Sequence, residues 1–357
     1  MRIAVWDSIK GFAIFSIVIY HFHSLINPHS LFEILDLFNY SFPEFISFLS
    51  ELSFPEQILS YGFQGVGIFL VFSGAGLTYS ALLTNKKLVL KDWFFRRFMR
   101  IFPAYWLAII FTVIFFPVVR QTDLILHSFA LNIFFRELFF FPGNSSLWFI
   151  GLLVQAYLFF LILFHLGKKF GFTNLFAVSF LVSVITRILL LSFILDFNEY
   201  LFISIIFSRL AEFSLGLLLA SEWLKNPEKV ISFFSNKKIF VVSLLGYIVF
   251  DLFYFGWFLA FEFIATISLV FFLLFVFLFI QKRIVFLSKF FIFLSKYSLW
   301  IFLIHYPILV LFQGFFVQHS APAIIGFFVA FLIILPIAIV LTKLTNNFVK
   351  FIVAVFL

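Results

Sequence analysis

His21, Lys10 and Asp7 sit inside the first apolar stretch of the chain, MRIAVWDSIKGFAIFSIVIYHFHSL. A hydrocarbon-spanning segment tolerates such groups mainly where they face a bundle interior or a water-filled cavity, so they mark a functional site. Helical periodicity puts positions 7, 10, 14 and 21 near one stripe. Lys10 and His21 are three turns apart, roughly 16 Å along the axis. A cation near one membrane edge and an imidazole far deeper suit a long ligand lying along the helix. An imidazole is the common general base near neutral pH. The competing reading of His21 is a helix–helix hydrogen bond. Asp7 and Lys10, spaced i, i+3, also suit a local ion pair that eases insertion.

The elements that must carry these groups follow from composition. The chain of 357 residues is 64% hydrophobic and 11% charged, against about 25% charged in soluble proteins. It is a polytopic all-α membrane protein. The absence of cysteine rules out disulfides, thiol nucleophiles and thiolate metal sites, and no other cluster resembles a metal site. The net charge of +8 reports basic connections on one side of a bilayer rather than nucleic-acid binding. Apolar runs long enough to span fall at 4–25, 62–83, 101–119, 146–166, 174–195, 203–224, 238–255, 257–280, 296–317 and 322–342. Alternate connections are basic: Lys86 to Arg100, Lys168 and Lys169, Lys225 to Lys238, Lys282 to Lys296, then Lys343 and Lys350. The others carry Glu33 to Glu56, Asp123 and Glu137, Asp196 and Glu199, and Asp251. The positive-inside rule then predicts ten spans with both termini cytoplasmic. The first run, interrupted by Asp7 and Lys10, reads as a helix rather than a signal peptide. The segment 124–141 reads as interfacial or re-entrant, and 1–357 as a single membrane domain with no fused soluble domain. Further polar groups within spans are Arg187, Arg209, Glu212, Glu262 and His305. Arg209 and Glu212 are spaced for a local pair, whereas Arg187 reads as isolated.

Several motifs, in order along the chain, resemble the membrane-bound acyltransferase 3 family, bacterial multi-pass O-acyltransferases. Asp7-Ser-Ile-Lys10-Gly11 with His21 is similar to its D-x-x-[R/K]-G start. Gly65 to Gly74 is similar to its glycine- and phenylalanine-bearing helix. Arg97-Phe-Met-Arg100-Ile-Phe-Pro103-Ala-Tyr105-Trp106 is similar to R-x-x-R-I-x-P-x-Y-W. Arg209-Leu-Ala-Glu212-Phe and Ser295 to Pro307, including His305, are similar to two later motifs. The chain departs from the pattern after Trp148, where many members carry a glutamate pair and this one has Gln155 but no acid.

The resemblance implies an acyltransferase taking acyl-CoA as donor substrate, acetyl-CoA first, with no permanently bound cofactor. The acceptor would be a hydroxyl of a saccharide or glycolipid, in a bacterial inner membrane. It implies His21 as general base, with Lys10, paired with Asp7, attracting an anionic part of the acyl-CoA or positioning a polar network below His21. Arg97 and Arg100 would fork onto the phosphates of coenzyme A. Arg96 would join them or serve topology and lipid headgroups. Tyr105 would help shape the helix entry, and Trp148 would pack against the acyl arm or sit in the core. Arg209, Glu212 and His305 would form a polar network, structural or facing the acceptor. Two other readings stand: a transporter or flippase for an anionic or lipid-linked sugar, and a catalytically silent relative acting as an assembly partner.

Overall fold

The computed structural model describes residues 3–26, 61–84, 90–117, 120–193, 204–252, 260–318 and 323–356. The expected acidic connections around Glu33 to Glu56 and Asp196 to Glu199, and the basic pair Lys86 and Lys87, lie outside them. Among the described residues the chain is helical, with no strand. Chain order runs α1 Ala4–Ile26, α2 Gly65–Thr84, α3 Leu90–Phe115, α4 Gln121–Ser128, α5 Trp148–Phe170 and α6 Phe172–Phe193. It continues with α7 Leu210–Lys225, α8 Pro227–Phe234, α9 Lys237–Leu252, α10 Glu262–Arg283, α11 Val285–Gln318 and α12 Ala323–Phe356. Helices dominate because a bilayer core offers no water to backbone N–H and C=O groups, so each span must satisfy them internally.

Eight of these helices are long and apolar enough to cross a membrane, and the α8–α9 pair, bent by 62°, makes a ninth if it counts as one span. The packing bears on the count. α1 and α11 run parallel: Ser8 Oγ lies 3.0 Å from Ser288 Oγ, and further along His21 meets His305. Parallel neighbours are separated by an odd number of crossings. Among the described residues the helices between α1 and α11 give five crossings if neither α7 nor the α8–α9 pair crosses, and seven if both do. α7 lies parallel along the span α2, with Gly67 against Glu212 and Gly216 against Val71. Seven crossings therefore fit the packing, and the ten expected spans each have a helix. α7 falls below the usual spanning length because a 3-10 turn, Ile206–Arg209, forms its entry.

Boundaries differ where charge continues a helix beyond its apolar core. The span expected at 101–119 begins at Leu90 and ends at Phe115, so Arg96, Arg97 and Arg100 ride on the helix instead of preceding it. Pro103, expected at a helix entry, lies in its interior. The ninth span begins at Val285 rather than 296, and the tenth continues to Phe356. Hydropathy registers only the stretch in hydrocarbon, whereas backbone hydrogen bonding carries the helix on into the polar zone. His23, two residues beyond His21 on α1, is 4% exposed.

Segment 124–141 is not a span. It forms α4 and two 3-10 turns, Asn132–Phe134 and Arg136–Leu138. Within it His127 is fully buried, its ring edge-on to Phe141 at 4.7 Å, and burial pushes the imidazole down to about 4. The native state thus holds His127 neutral, while the unfolded chain protonates near 6.5. Stability is complete above that value and falls as pH drops from 6.5 toward 4, by about 3 kcal/mol from this group. Unfolding midpoints in detergent between pH 7 and 4 check this, and His127→Leu should flatten the acid limb; an identical pH dependence in both proteins counts against it.

Candidate active site

α1 presents Asp7, Lys10 and the half-buried His21 along one stripe, and Val5, Ile9 and Ile17 bury it in the core. Its partner is α11. The two backbones meet so closely at Gly11 that an added Cβ would run into the Phe291 carbonyl. Only glycine permits this approach, as at other small-residue contacts between membrane helices.

Ten residues further along α1, the contact becomes polar. His305 Nε2 lies 2.9 Å from His21 Nδ1. His305 Nδ1 lies 2.7 Å from the Phe302 carbonyl and 3.2 Å from that of Ile301. Carbonyl oxygens only accept, so the His305 proton is on Nδ1 and its Nε2 carries the lone pair. His21 must then donate Nδ1–H to His305, a proton that also points toward the Ile17 carbonyl at 3.1 Å. In that tautomer the basic lone pair of His21 is on Nε2. The rings of Tyr20 and Tyr306 flank His21, with centroids 5.0 and 5.3 Å away.

Pro307 shapes the turn that carries His305. Proline has no N–H, so the carbonyl four residues back, that of Leu303, loses its helical donor. Asn144 Nδ2 replaces it at 2.9 Å. Asn144 is wholly buried between α3, α11 and the start of α5; its Nδ2 also faces Thr112 Oγ1 at 3.3 Å, and its Oδ1 accepts from Ser146 at 2.7 Å. Ser146 Oγ reaches the Phe302 carbonyl at 3.4 Å. Gly143, at φ 75°, makes the turn that delivers Asn144, a left-handed conformation costly for residues with a Cβ.

Nearer the N-terminus of α1 a cavity of about 570 Å³ opens among α1, α2, α3, α5 and α11. Lys10, Arg97, Arg100 and Lys296 are its cations, and Asp7 its carboxylate, 2.6 Å from Lys10 Nζ. Ser73, Gly76 and Ser80 keep the α2 wall low. At Gly76 an added Cβ would meet nothing within 4 Å. Phe302 lines the cavity as well, so its side chain faces the cavity while its carbonyl accepts from His305. Phe149 packs edge-on to Phe302 at 5.3 Å.

Arg96, Tyr105 and Trp148 do not line this cavity. Arg96 is exposed one turn before Arg100 on α3. Tyr105 is fully buried inside the bundle. Trp148 stacks on Phe139, with ring centroids 5.5 Å apart. The Arg97 guanidinium stands 5.7 Å over the Trp93 ring.

The remaining polar residues gather elsewhere. Arg209 Nη1 lies 2.7 Å from Glu212 Oε1. Arg187 is not isolated: its Nη1 lies 3.0 Å from Glu262 Oε2, its Nε donates to the Ser208 carbonyl at 2.8 Å, and Arg209 Nη1 reaches the same Glu262 oxygen at 3.7 Å. All four side chains are buried. This neutral cluster is separated from the histidine pair by α2, whose Gly65 touches Ala13 on α1 and whose Gly67 touches Glu212. Of the polar groups foreseen within spans, only His305 joins His21. Sequence reasoning passed over Asn144, Ser146 and Tyr306 and read Lys296 as topology. The one local signal was Pro307, which announces an orphan carbonyl in an apolar helix. Among the described residues no group of three or more His, Asp or Glu side chains gathers as a metal site.

The chain is thus a multi-pass helical membrane protein with a histidine pair in its interior and a basic cavity nearer the N-terminus of α1. The chain belongs to the acyltransferase 3 family, whose model, described as an acyltransferase domain, matches residues 3–343. No curated protein and no solved structure matches it.

Proposed function

We propose that the protein transfers an acyl group, acetyl foremost, from acyl-CoA to a hydroxyl of a saccharide or glycolipid. The observation that carries this reading is the continuity of site and cavity: Phe302 lines the basic cavity, and its carbonyl holds the histidine paired with His21. Lys10, Arg97, Arg100 and Lys296 would take the phosphates, the arginines as bidentate forks. The pantetheine arm would lie along α1 and pass Phe302 toward His21. There His21 Nε2 would accept the acceptor hydroxyl's proton as its oxygen attacks the thioester carbonyl. The tetrahedral adduct would then collapse, breaking the C–S bond, and the leaving thiolate would take the proton back from His21. His305 would hold the imidazole in the tautomer this needs, the part a carboxylate plays in a Ser-His-Asp triad. The basic helix ends support a cavity mouth on the cytoplasmic side of a bacterial inner membrane, the side on which acyl-CoA would be supplied.

The test uses radiolabelled acetyl-CoA with membrane glycans as acceptor and protein in lipid. Wild type should move label into glycan. His21→Ala should lower turnover by roughly 10²–10⁴-fold, the usual worth of general-base catalysis, while still binding donor. Gly76→Phe, which projects a ring into space that is open at that position, should raise the donor KM at least about tenfold with the unfolding midpoint unchanged. Undiminished transfer by His21→Ala would overturn the base assignment. A wild type that does not bind acyl-CoA would overturn the enzyme reading in favour of transport or a silent relative.

A further inference from the structure

We propose that Asn144 and Ser146 are positioning residues for the transfer: Asn144, oriented by Ser146, holds the Leu303 carbonyl at the Pro307 break, and so they set the turn of α11 that carries His305, and through it the tautomer of His21. This deepens the proposed function and rests on its assignment of His21 as base. Three observations converge. Pro307 leaves the Leu303 carbonyl without a helical donor, and the fully buried Asn144, 159 residues away in sequence, supplies one at 2.9 Å. Ser146 donates its one proton to Asn144 Oδ1 at 2.7 Å, which fixes the amide with Nδ2 toward Leu303, and its Oγ lies 3.4 Å from the Phe302 carbonyl, the oxygen that accepts His305 Nδ1–H at 2.7 Å. His305 in turn presents its Nε2 lone pair to His21 at 2.9 Å. A buried carbonyl stripped of its donor is costly, so the break would re-form its hydrogen bonds if Asn144 were removed. A donor close at hand is His305 Nδ1–H, two residues along α11. Each ångström that this ring moves is transmitted to His21 through a single hydrogen bond.

The experiment reads the tautomer directly. ¹⁵N NMR of histidine-labelled protein in lipid distinguishes a protonated from a bare ring nitrogen, and comparison with His21→Gln identifies the His21 signals. Wild type should show His21 protonated at Nδ1. Asn144→Leu should show a mixture of tautomers and a kcat lowered at least about tenfold, with the KM for acyl-CoA unchanged because the basic cavity is untouched. In Pro307→Ala, residue 307 regains an N–H for Leu303. Adding Asn144→Leu there should cost far less than it does in wild type, the non-additivity of residues that share one hydrogen-bond system. Should Asn144→Leu fail to fold, Ser146→Ala should still shift tautomer and kcat in the same direction, by about threefold. Wild-type tautomer and kcat in the folded variants, additive losses in the double variant, or His21 protonated at Nε2 in wild type would each overturn the proposal. If His21→Gln keeps its turnover, the base assignment falls with the catalytic role of the network, and the tautomer signals still report whether Asn144 governs the histidine pair.

Discussion

Gly11→Ala should lower transfer on the order of a hundred-fold. The new methyl would fall on the Phe291 backbone, not on a side chain that can swing away. α1 and α11 must then separate, and because they run parallel the gap extends along their shared seam to His21 and His305. The hydrogen bond joining those rings is 2.9 Å long, and a further ångström breaks it. Misplacement of a catalytic group by about 1 Å is enough for a loss of this size. Ser8 and Ser288, one turn before the contact, would lose their 3.0 Å bond as well. The measurement is turnover beside donor affinity: the first should fall by far more than the second, since Arg97 and Arg100 stand on α3 while only Lys10 and Lys296 ride on the separating helices. Full turnover in Gly11→Ala would mean that the seam does not control the histidine pair.

Glu262→Gln should destabilise the fold by about 3–5 kcal/mol, the cost of breaking a buried ion pair by removing one partner. Glu262 is 2% exposed and serves both Arg187, at 3.0 Å, and Arg209, at 3.7 Å. Neutralising it turns a balanced group of two arginines and two glutamates into one with an uncompensated positive charge, far from water. Removing the charge of Arg187 at the same time restores the balance. Arg187→Met combined with Glu262→Gln should therefore cost less than Glu262→Gln alone. Unfolding in detergent measures both. A single variant as stable as wild type, or a double variant worse than the single, would show that water or a counter-ion reaches the cluster.

How far the site was legible in the sequence depends on how far apart its parts lie. His21 and Lys10 were visible as titratable groups in an apolar run, since a bilayer makes such groups expensive. Arg97 and Arg100 share one face of α3 by helical spacing, and they do line the cavity together. Trp148 and Tyr105 occupy matching motif positions yet face away from the cavity, because a motif gives a residue's place along a helix and not the neighbour its side chain meets. Asn144 lay in a short loop without periodicity, so nothing local distinguished it from an ordinary turn residue.

Composition and period by themselves determined the membrane class, the order of the spans and the pairs made within a turn. Asp7 with Lys10 at 2.6 Å and Arg209 with Glu212 at 2.7 Å are such pairs. These follow from hydropathy and 3.6-residue geometry, which act over a few residues. Only the tertiary structure decided that His21 meets His305, 284 residues away, that Arg187 meets Glu262, and that Asn144 completes the turn broken by Pro307. In a bilayer, helix faces are matched by close packing and by the need to satisfy buried polar groups, not by exclusion from water. That matching is settled by where backbones approach most closely, at Gly11 and Gly216, and it can be read only once the helices are together.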